Sequence, residues 1–215
     1  FLGIWDCVKT FGWIYNPIFL PYTTNNPSVH TVRHAIAIDE RRALFQKMLW
    51  GKPKPQQDVK QVWFAGAHGD VGGGYPEKES GLAKIALKWM IEEAEKSELL
   101  IKKEDYKSKV LGEDSEQYIP PNPLGEFHES LIGSWWLLQY LPKVMWDVEK
   151  KKEVLRFPDR IRQIPEQAVL HTSVLERLKS GNYRPGNLGL ATYEPSDVQK
   201  ALLEKKYSFE PPLAQ

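Results

Sequence analysis

The sequence predicts an α/β fold, in which strands of a parallel sheet carry flanking helices and a mostly helical C-terminal extension follows. Two observations support this prediction. Three continuous apolar runs lie within the first 70 residues, and helical periodicity begins soon after them. Because continuous apolar runs are typical of strands buried on both faces, they indicate a parallel sheet covered by helices.

Each of the three predicted strands is followed by an ionisable residue. The strands and the residues that follow them are 1–5 with Asp6, 34–38 with Asp39, and 59–67 with His68. In open α/β sheets, the ligand site lies at the carboxyl edge of the strands. We therefore expect these three side chains at one edge of the sheet.

Four helices are predicted after the third strand. A stripe of apolar residues at helical spacing predicts a helix over 81–96, and a second apolar helix is predicted over 129–141. Shorter helices are predicted near 172–179 and from Ser196. The charged and proline-rich stretch 100–127 predicts a surface excursion.

Composition excludes several classes of protein. With 29 basic and 28 acidic residues the charge nearly cancels, so no nucleic-acid partner is expected. Apolar stretches are interrupted well before the roughly 18 residues that a membrane span needs. The single cysteine, Cys7, excludes an internal disulfide. The chain starts inside an apolar run without methionine, so we expect a fragment and leave the compartment open between cytoplasmic and secreted.

His68 opens the most specific local motif, which continues through Gly69 and Asp70 to three glycines at 72–74. A histidine at a strand end, before a flexible turn, has the placement that the general base of a Ser–His–Asp triad requires. The alternative is a structural turn that happens to contain a histidine. The residues alone leave both interpretations open.

Three aspartates compete as the partner of this histidine. Asp6 follows a strand and could orient an imidazole, although capping a turn is the commoner use of such a residue. Asp39 also follows a strand, but its charged neighbours favour a local ion pair. Asp70 is too close to His68 in sequence to be the first choice.

Long blocks of this sequence resemble the DUF2235 family of α/β hydrolases, which includes the Tle1-like phospholipase effectors of type VI secretion. The resemblance covers most of residues 1–190. The blocks that carry it are 1–6, 33–42, 62–75, 81–91, 171–177 and 183–185.

The resemblance implies a Ser–Asp–His esterase triad in which Asp6 is the acid and His68 is the base. It thereby favours Asp6 over Asp39. Two residues near the site depart from the family pattern: Cys7 stands where the family usually has threonine, and Gly69 where it usually has serine. Both departures leave the triad groups unchanged.

The resemblance also implies the domain organisation. Residues 1–98 would form the C-terminal strands and helix of an α/β-hydrolase domain. Residues 99–215 would form a mainly helical extension or lid, packed on the same domain.

The nucleophile is the largest departure from the family. The family carries its serine in a Gly-x-Ser-x-Gly-like elbow that precedes the strand ending at Asp6. No serine here lies in such a motif, and Ser134 leads into an apolar helix, which is the wrong context. We therefore expect the serine upstream, in a missing N-terminal half of the same fold. A thiol nucleophile at Cys7 is a weaker alternative, since a small buried residue is the favoured interpretation.

An aromatic segment follows residue 130. It could form an interfacial lid that touches lipid, because Trp and Tyr favour the membrane–water boundary. A tryptophan-rich helical stripe is more often core, and we favour core. The residues concerned are Trp135, Trp136, Tyr140 and Trp146.

These observations favour a serine esterase or lipase that acts on an ester such as a phospholipid, with transient contact to a membrane surface and no cofactor. Two alternatives remain open. One is a metallohydrolase, whose ligands would come from His30, His34, His68, Asp6, Asp39 and Asp70. The other is a non-catalytic module that keeps the scaffold for binding or interaction.

Overall fold

The computed structural model describes residues 1–8, 12–13, 16–17, 22–147, 152–157, 161–190 and 194–211. The strands are β1 Leu2–Trp5, β2 Gly12–Trp13, β3 Asn16–Pro17, β4 Thr31–Ala37, β5 Asp58–Phe64, β6 Lys143–Asp147, β7 Lys152–Arg156, β8 Val169–His171 and β9 Ser208–Glu210. The α-helices are α1 His68–Gly72, α2 Gly81–Glu95, α3 Lys103–Asp105, α4 Trp135–Leu138, α5 Thr172–Lys179 and α6 Val198–Glu204. Shorter helical segments are the 3₁₀ turns Glu77–Glu79 and Gly186–Leu188 and the π-helical segment Tyr106–Val110.

Five strands form one sheet in the order β1-β4-β5-β8-β9, and every neighbouring pair is parallel. The predicted α/β fold with a parallel sheet and flanking helices is confirmed. Sequence analysis missed β8 and β9, because three residues are too few to show a period. Both strands come from the part of the chain after residue 98. The predicted division of the chain into residues 1–98 and 99–215 stays a prediction.

The sheet is covered on both faces, which explains the continuous apolar runs. On β4, Ile36 packs into one cluster with helices α5 and α6, whereas Ala35 and Ala37 face the other cluster, under α1 and α2. On β5, Trp63 and Phe64 divide between the same two clusters. Alternate residues of a strand point to opposite faces, so the C-terminal halves of β4 and β5, which are covered on both sides, are apolar at successive positions.

The helix predicted over 129–141 is wrong. Only the four residues of α4 are helical there, because Gly133 adopts a left-handed φ of 55° that interrupts the helix. The preference for core is wrong for two of the residues concerned, since Trp136 and Tyr140 are 49% and 55% exposed, whereas Trp135 is half-buried. The side chain of Trp146 lies outside the described residues.

No helix in the described part of the chain is both long enough and apolar enough to cross a membrane.

Candidate active site

Asp6 lies immediately after β1 and is fully buried. Its backbone N–H donates to the carbonyl of Ala35, and its Oδ1 accepts from the backbone N–H of Ala37 at 2.8 Å. The φ of Asp6 is 42°, in the left-handed region, which aspartate tolerates better than most residues. The main chain of β4 therefore fixes the carboxylate at the edge of the sheet.

His68 begins helix α1, just past the end of β5, where a flexible glycine turn was predicted to follow the histidine. Its Nδ1 lies 2.7 Å from Oδ2 of Asp6. Its ring is one-third exposed and meets the ring of Phe45 edge-on, with 5.3 Å between centroids. Within the described residues, no hydrogen bond reaches Nε2 of His68. The structure therefore brings two of the predicted residues together and leaves the outer nitrogen available.

Three consecutive backbone N–H groups before and at His68 are each held by a different carboxylate. The N–H of Gly66 donates to Asp39 at 2.8 Å, that of Ala67 to Asp70 at 2.9 Å, and that of His68 to Glu40 at 3.2 Å. These bonds fix the segment that presents the imidazole.

Asp39 does not pair with His68. Its carboxylate accepts from Gly66 and from the hydroxyl of Tyr183, the latter at 2.6 Å. Burial raises the pKa of Asp39 to about 6, although both hydrogen bonds act in the opposite direction. Asp39 therefore anchors the turn before His68 instead of orienting the imidazole.

Asp70 pairs with a different histidine, His128, whose Nδ1 lies 2.6 Å from Oδ1 of Asp70. The other ring nitrogen of His128 lies 3.2 Å from Glu79, and Tyr75 stacks on the ring at 3.5 Å. Sequence analysis did not single out His128.

Arg162 is the contact to Asp6 that sequence analysis missed. Its Nη2 lies 3.0 Å from Oδ2 of Asp6, and its Nη1 donates to Oδ1. The residue is 156 positions from Asp6 in sequence and lies in no recognisable motif, so no sequence signal could have identified it.

The charge of Asp6 is set by its partners. Burial alone would raise its pKa, but the hydrogen bond from His68, the guanidinium of Arg162 and the N–H of Ala37 together lower it to about 2. Asp6 is therefore ionised at neutral pH, which is the state that can orient an imidazole and stabilise an imidazolium.

Cys7 is half-buried, and its pKa is raised by burial and by the charge of Asp6. Because the thiolate is the reactive form, this environment disfavours a thiol nucleophile. The backbone N–H of Cys7 donates to Nε2 of His34, and burial lowers the pKa of His34 to about 4.

The residues proposed as metal ligands do not converge within the described chain. The group found there that could hold a metal is a different one, formed by Glu79, Glu126 and His128, whose ligand atoms lie within 4.8 Å of one another. His128 is already hydrogen-bonded at both ring nitrogens, so we assign no metal to this group.

The aromatic segment reaches the histidine through Phe45. Trp135 meets Phe45 edge-on, with 5.4 Å between centroids, and Phe45 in turn contacts His68. The guanidinium of Arg42 lies 3.5 Å above the ring of Phe45. An exposed apolar surface beyond Trp135 therefore lies close to the candidate base.

Comparison with known protein families found a match in the first part of the chain. Residues 1–93 match the family model described as T6SS, Phospholipase effector Tle1-like, catalytic domain. The predicted resemblance is confirmed over these residues. The match supports a phospholipase-type hydrolase at the level of the family. Neither a search of curated proteins nor a search of solved structures found a match.

The Tle1-like segment contains both Asp6 and His68, together with β1, β4, β5 and most of α2. Arg162 and the exposed aromatic segment lie after it. The contacts that later residues make with the Asp6–His68 pair are therefore features of the structure outside the family match.

Proposed function

We propose that the protein is a serine esterase of the phospholipase type, in which His68 is the general base and Asp6 orients it. The observation that carries this proposal is the 2.7 Å contact between His68 Nδ1 and the buried Asp6 carboxylate, beside an Nε2 without a partner in the described residues. We place the serine upstream of these 215 residues, as the family pattern implies.

The reaction would follow the usual course of a triad. Nε2 of His68 takes the proton of the serine hydroxyl as its oxygen attacks the acyl carbon of the ester. Asp6 stabilises the imidazolium that forms. His68 then returns the proton to the departing alcohol, and a water molecule, activated in the same way, releases the fatty acid from the acyl-enzyme. The oxyanion donors would come from the same upstream part of the fold as the serine.

Two observations support a phospholipid as the substrate. The first is the family match over residues 1–93. The second is the exposed apolar surface near His68, which includes Trp136, Leu137 and Tyr140. Tryptophan and tyrosine favour the boundary between lipid and water, so we propose transient contact with a membrane surface at this segment.

The test compares the 215-residue chain with a longer protein that includes the preceding segment. We expect the chain alone to hydrolyse no phospholipid at an enzymatic rate, because His68 has no serine to activate. The longer protein should be active, and His68→Ala should lower its kcat/KM by at least ~10³-fold. The exposed His30 provides a matched control, and His30→Ala should leave the rate unchanged.

Three outcomes would contradict the proposal. Retained activity in His68→Ala would exclude this histidine as the base. Thiol-sensitive turnover by the 215-residue chain would instead favour Cys7 as nucleophile. An upstream segment without a serine elbow would favour the non-catalytic module.

A further inference from the structure

Arg162 makes the closest charged contact to Asp6, but the triad chemistry does not itself require it. The side chain is 3% exposed. Its two terminal nitrogens bond both oxygens of Asp6, which is the bidentate arrangement that a planar guanidinium favours. A buried ion pair of this geometry affects both the orientation of the Asp6 carboxylate and the protonation of the Asp6–His68 pair. The two effects can be measured separately.

The first consequence is that the Asp6 carboxylate has no freedom to rotate. Oδ1 accepts from the N–H of Ala37 and from Arg162, and Oδ2 accepts from His68 and from Arg162. A carboxylate offers about four acceptor positions, so its capacity is filled. His68 therefore meets Oδ2 in a single orientation.

Arg162 is itself held by main-chain carbonyls. Its Nη1 donates to Ala37 at 2.9 Å and its Nη2 to Phe45 at 2.8 Å. Phe45 is the residue whose ring packs against His68. One guanidinium thus links the strand that holds the acid to the loop whose aromatic ring contacts the base.

The second consequence concerns charge. The guanidinium is permanently positive and lies against the negative charge of Asp6. When His68 gains a proton, Asp6 stabilises the new charge and Arg162 opposes it. Removal of a neighbouring positive charge raises the proton affinity of a coupled pair, whichever member holds the proton.

We infer that Arg162 is a positioning residue for the proposed hydrolysis, which fixes the Asp6 carboxylate toward His68 and limits the proton affinity of the Asp6–His68 pair. The inference rests on the proposed function for its kinetic part only. Its electrostatic part concerns the imidazole and can be measured without any turnover.

Two variants of the full-length protein separate orientation from charge. Arg162→Lys keeps the charge but loses the bidentate contact, so kcat should fall by ~10-fold or more while the acid limb of the pH–rate profile stays in place. Arg162→Met loses both, so kcat should fall further and the acid limb should move to higher pH by about one unit. The ring resonances of His68, followed by NMR during a pH titration, should move by the same amount in Arg162→Met.

Arg177→Met is the matched control. Arg177 is also partly buried and donates to main-chain carbonyls, those of Pro123 and Gly125, but it makes no hydrogen bond to Asp6. This variant should lose stability without moving the acid limb or the ring titration.

The outcomes distinguish the inference from the proposed function. An unmoved ring titration in Arg162→Met would overturn the electrostatic role, and an unchanged kcat in Arg162→Lys would overturn the orienting role. If Arg162→Met does not fold, Arg162→Lys still tests the orienting role. A residue that only stabilises the fold would show lower stability with a normal kcat in this variant. A shifted ring titration in a protein that hydrolyses no ester would support Arg162 and contradict the proposed function.

Discussion

Two histidine–aspartate pairs lie on the carboxyl side of β5, and they are nearly identical at the contact itself. His68 lies 2.7 Å from Asp6, and His128 lies 2.6 Å from Asp70. Both aspartates are buried. The pairs differ in everything around that contact.

The differences lie at the second ring nitrogen and at the carboxylate. Nε2 of His128 bonds Glu79, and Tyr75 covers the ring, whereas the His68 ring is twice as exposed and has no described partner at Nε2. Asp6 has a guanidinium on both oxygens, whereas Asp70 accepts two backbone N–H groups. A short histidine–aspartate bond therefore does not by itself distinguish the two pairs, whereas the Nε2 of His68, which has no hydrogen bond among the described residues, does.

The sharpest test of this comparison is to neutralise each aspartate. Asp6→Asn leaves the buried charge of Arg162 without its partner, so the free energy of unfolding should fall by about 3–5 kcal/mol. Asp70→Asn removes the partner of His128, which, unlike an arginine, can lose its proton, so the loss should be about 1–3 kcal/mol. Urea denaturation at pH 7 measures both.

The effect of Asp6→Asn should also depend on pH. The pKa of Asp6 is about 2 in the folded protein, against an ordinary value of 3.8. The contribution of the ionised Asp6 to the free energy of unfolding is therefore present above pH 4 and is lost as the pH falls toward 2. The difference in the free energy of unfolding between Asp6→Asn and the native protein should narrow over that range. Equal losses of stability in Asp6→Asn and Asp70→Asn at pH 7 would contradict the distinction between the two pairs.

A smaller effect is expected at His128. Burial alone would lower the pKa of this histidine, but its hydrogen bond to Asp70, the charge of Asp70 and the contact with Glu79 raise it overall. Its charged form therefore stabilises the fold below pH 6.5, and that contribution is lost as the pH rises through the raised pKa. His128→Gln should destabilise the protein more at pH 6 than at pH 9 in thermal unfolding. A gap that does not change with pH would show that His128 acts without its charge.

A further comparison concerns Asp39, the other strand-end aspartate, whose pKa shifts in the opposite direction to that of Asp6. Its partners are a phenol and an N–H, and burial raises its pKa to about 6. The contribution of the protonated Asp39 to the free energy of unfolding is therefore favourable at low pH and is lost as the pH rises through 6. Asp39→Asn should gain stability relative to the native protein between pH 4 and 7.5, as measured by urea denaturation. A constant difference would contradict the raised pKa.

The sequence was sufficient to predict the elements whose apolar residues follow a regular pattern along the chain. The strands that became β4 and β5 are apolar in their C-terminal halves, where both faces are covered, and α2 has a clear apolar stripe. Strand β1 is a half-buried edge strand whose apolar run was nevertheless recognisable. The contact between Asp6 and His68 could be anticipated only with the family resemblance, because Asp39 also follows a strand of the same parallel sheet.

Other features depend on tertiary contacts that leave no local pattern. Arg162 reaches Asp6 across 156 residues, and the three-residue strands β8 and β9 join the sheet by pairing alone. The segment 129–141 has the composition of a core helix, yet Gly133 interrupts it and much of its apolar surface is exposed. The spacing of apolar residues alone cannot distinguish a buried helix from a segment whose apolar side chains are exposed.

The three carboxylates on the N–H groups of Gly66, Ala67 and His68 mean that the sheet and the segment carrying the base are stabilised by different forces. Apolar packing on the strands does not respond to acid, whereas Glu40 does, because its hydrogen bonds with Arg42 outweigh its burial and lower its pKa. As the pH falls through that lowered pKa, the bond that Glu40 accepts from the N–H of His68 should weaken while the strands beneath it remain paired. Acid should therefore loosen the segment that carries His68 before the sheet unfolds, and neutralisation should restore the segment because the framework beneath it is still in place.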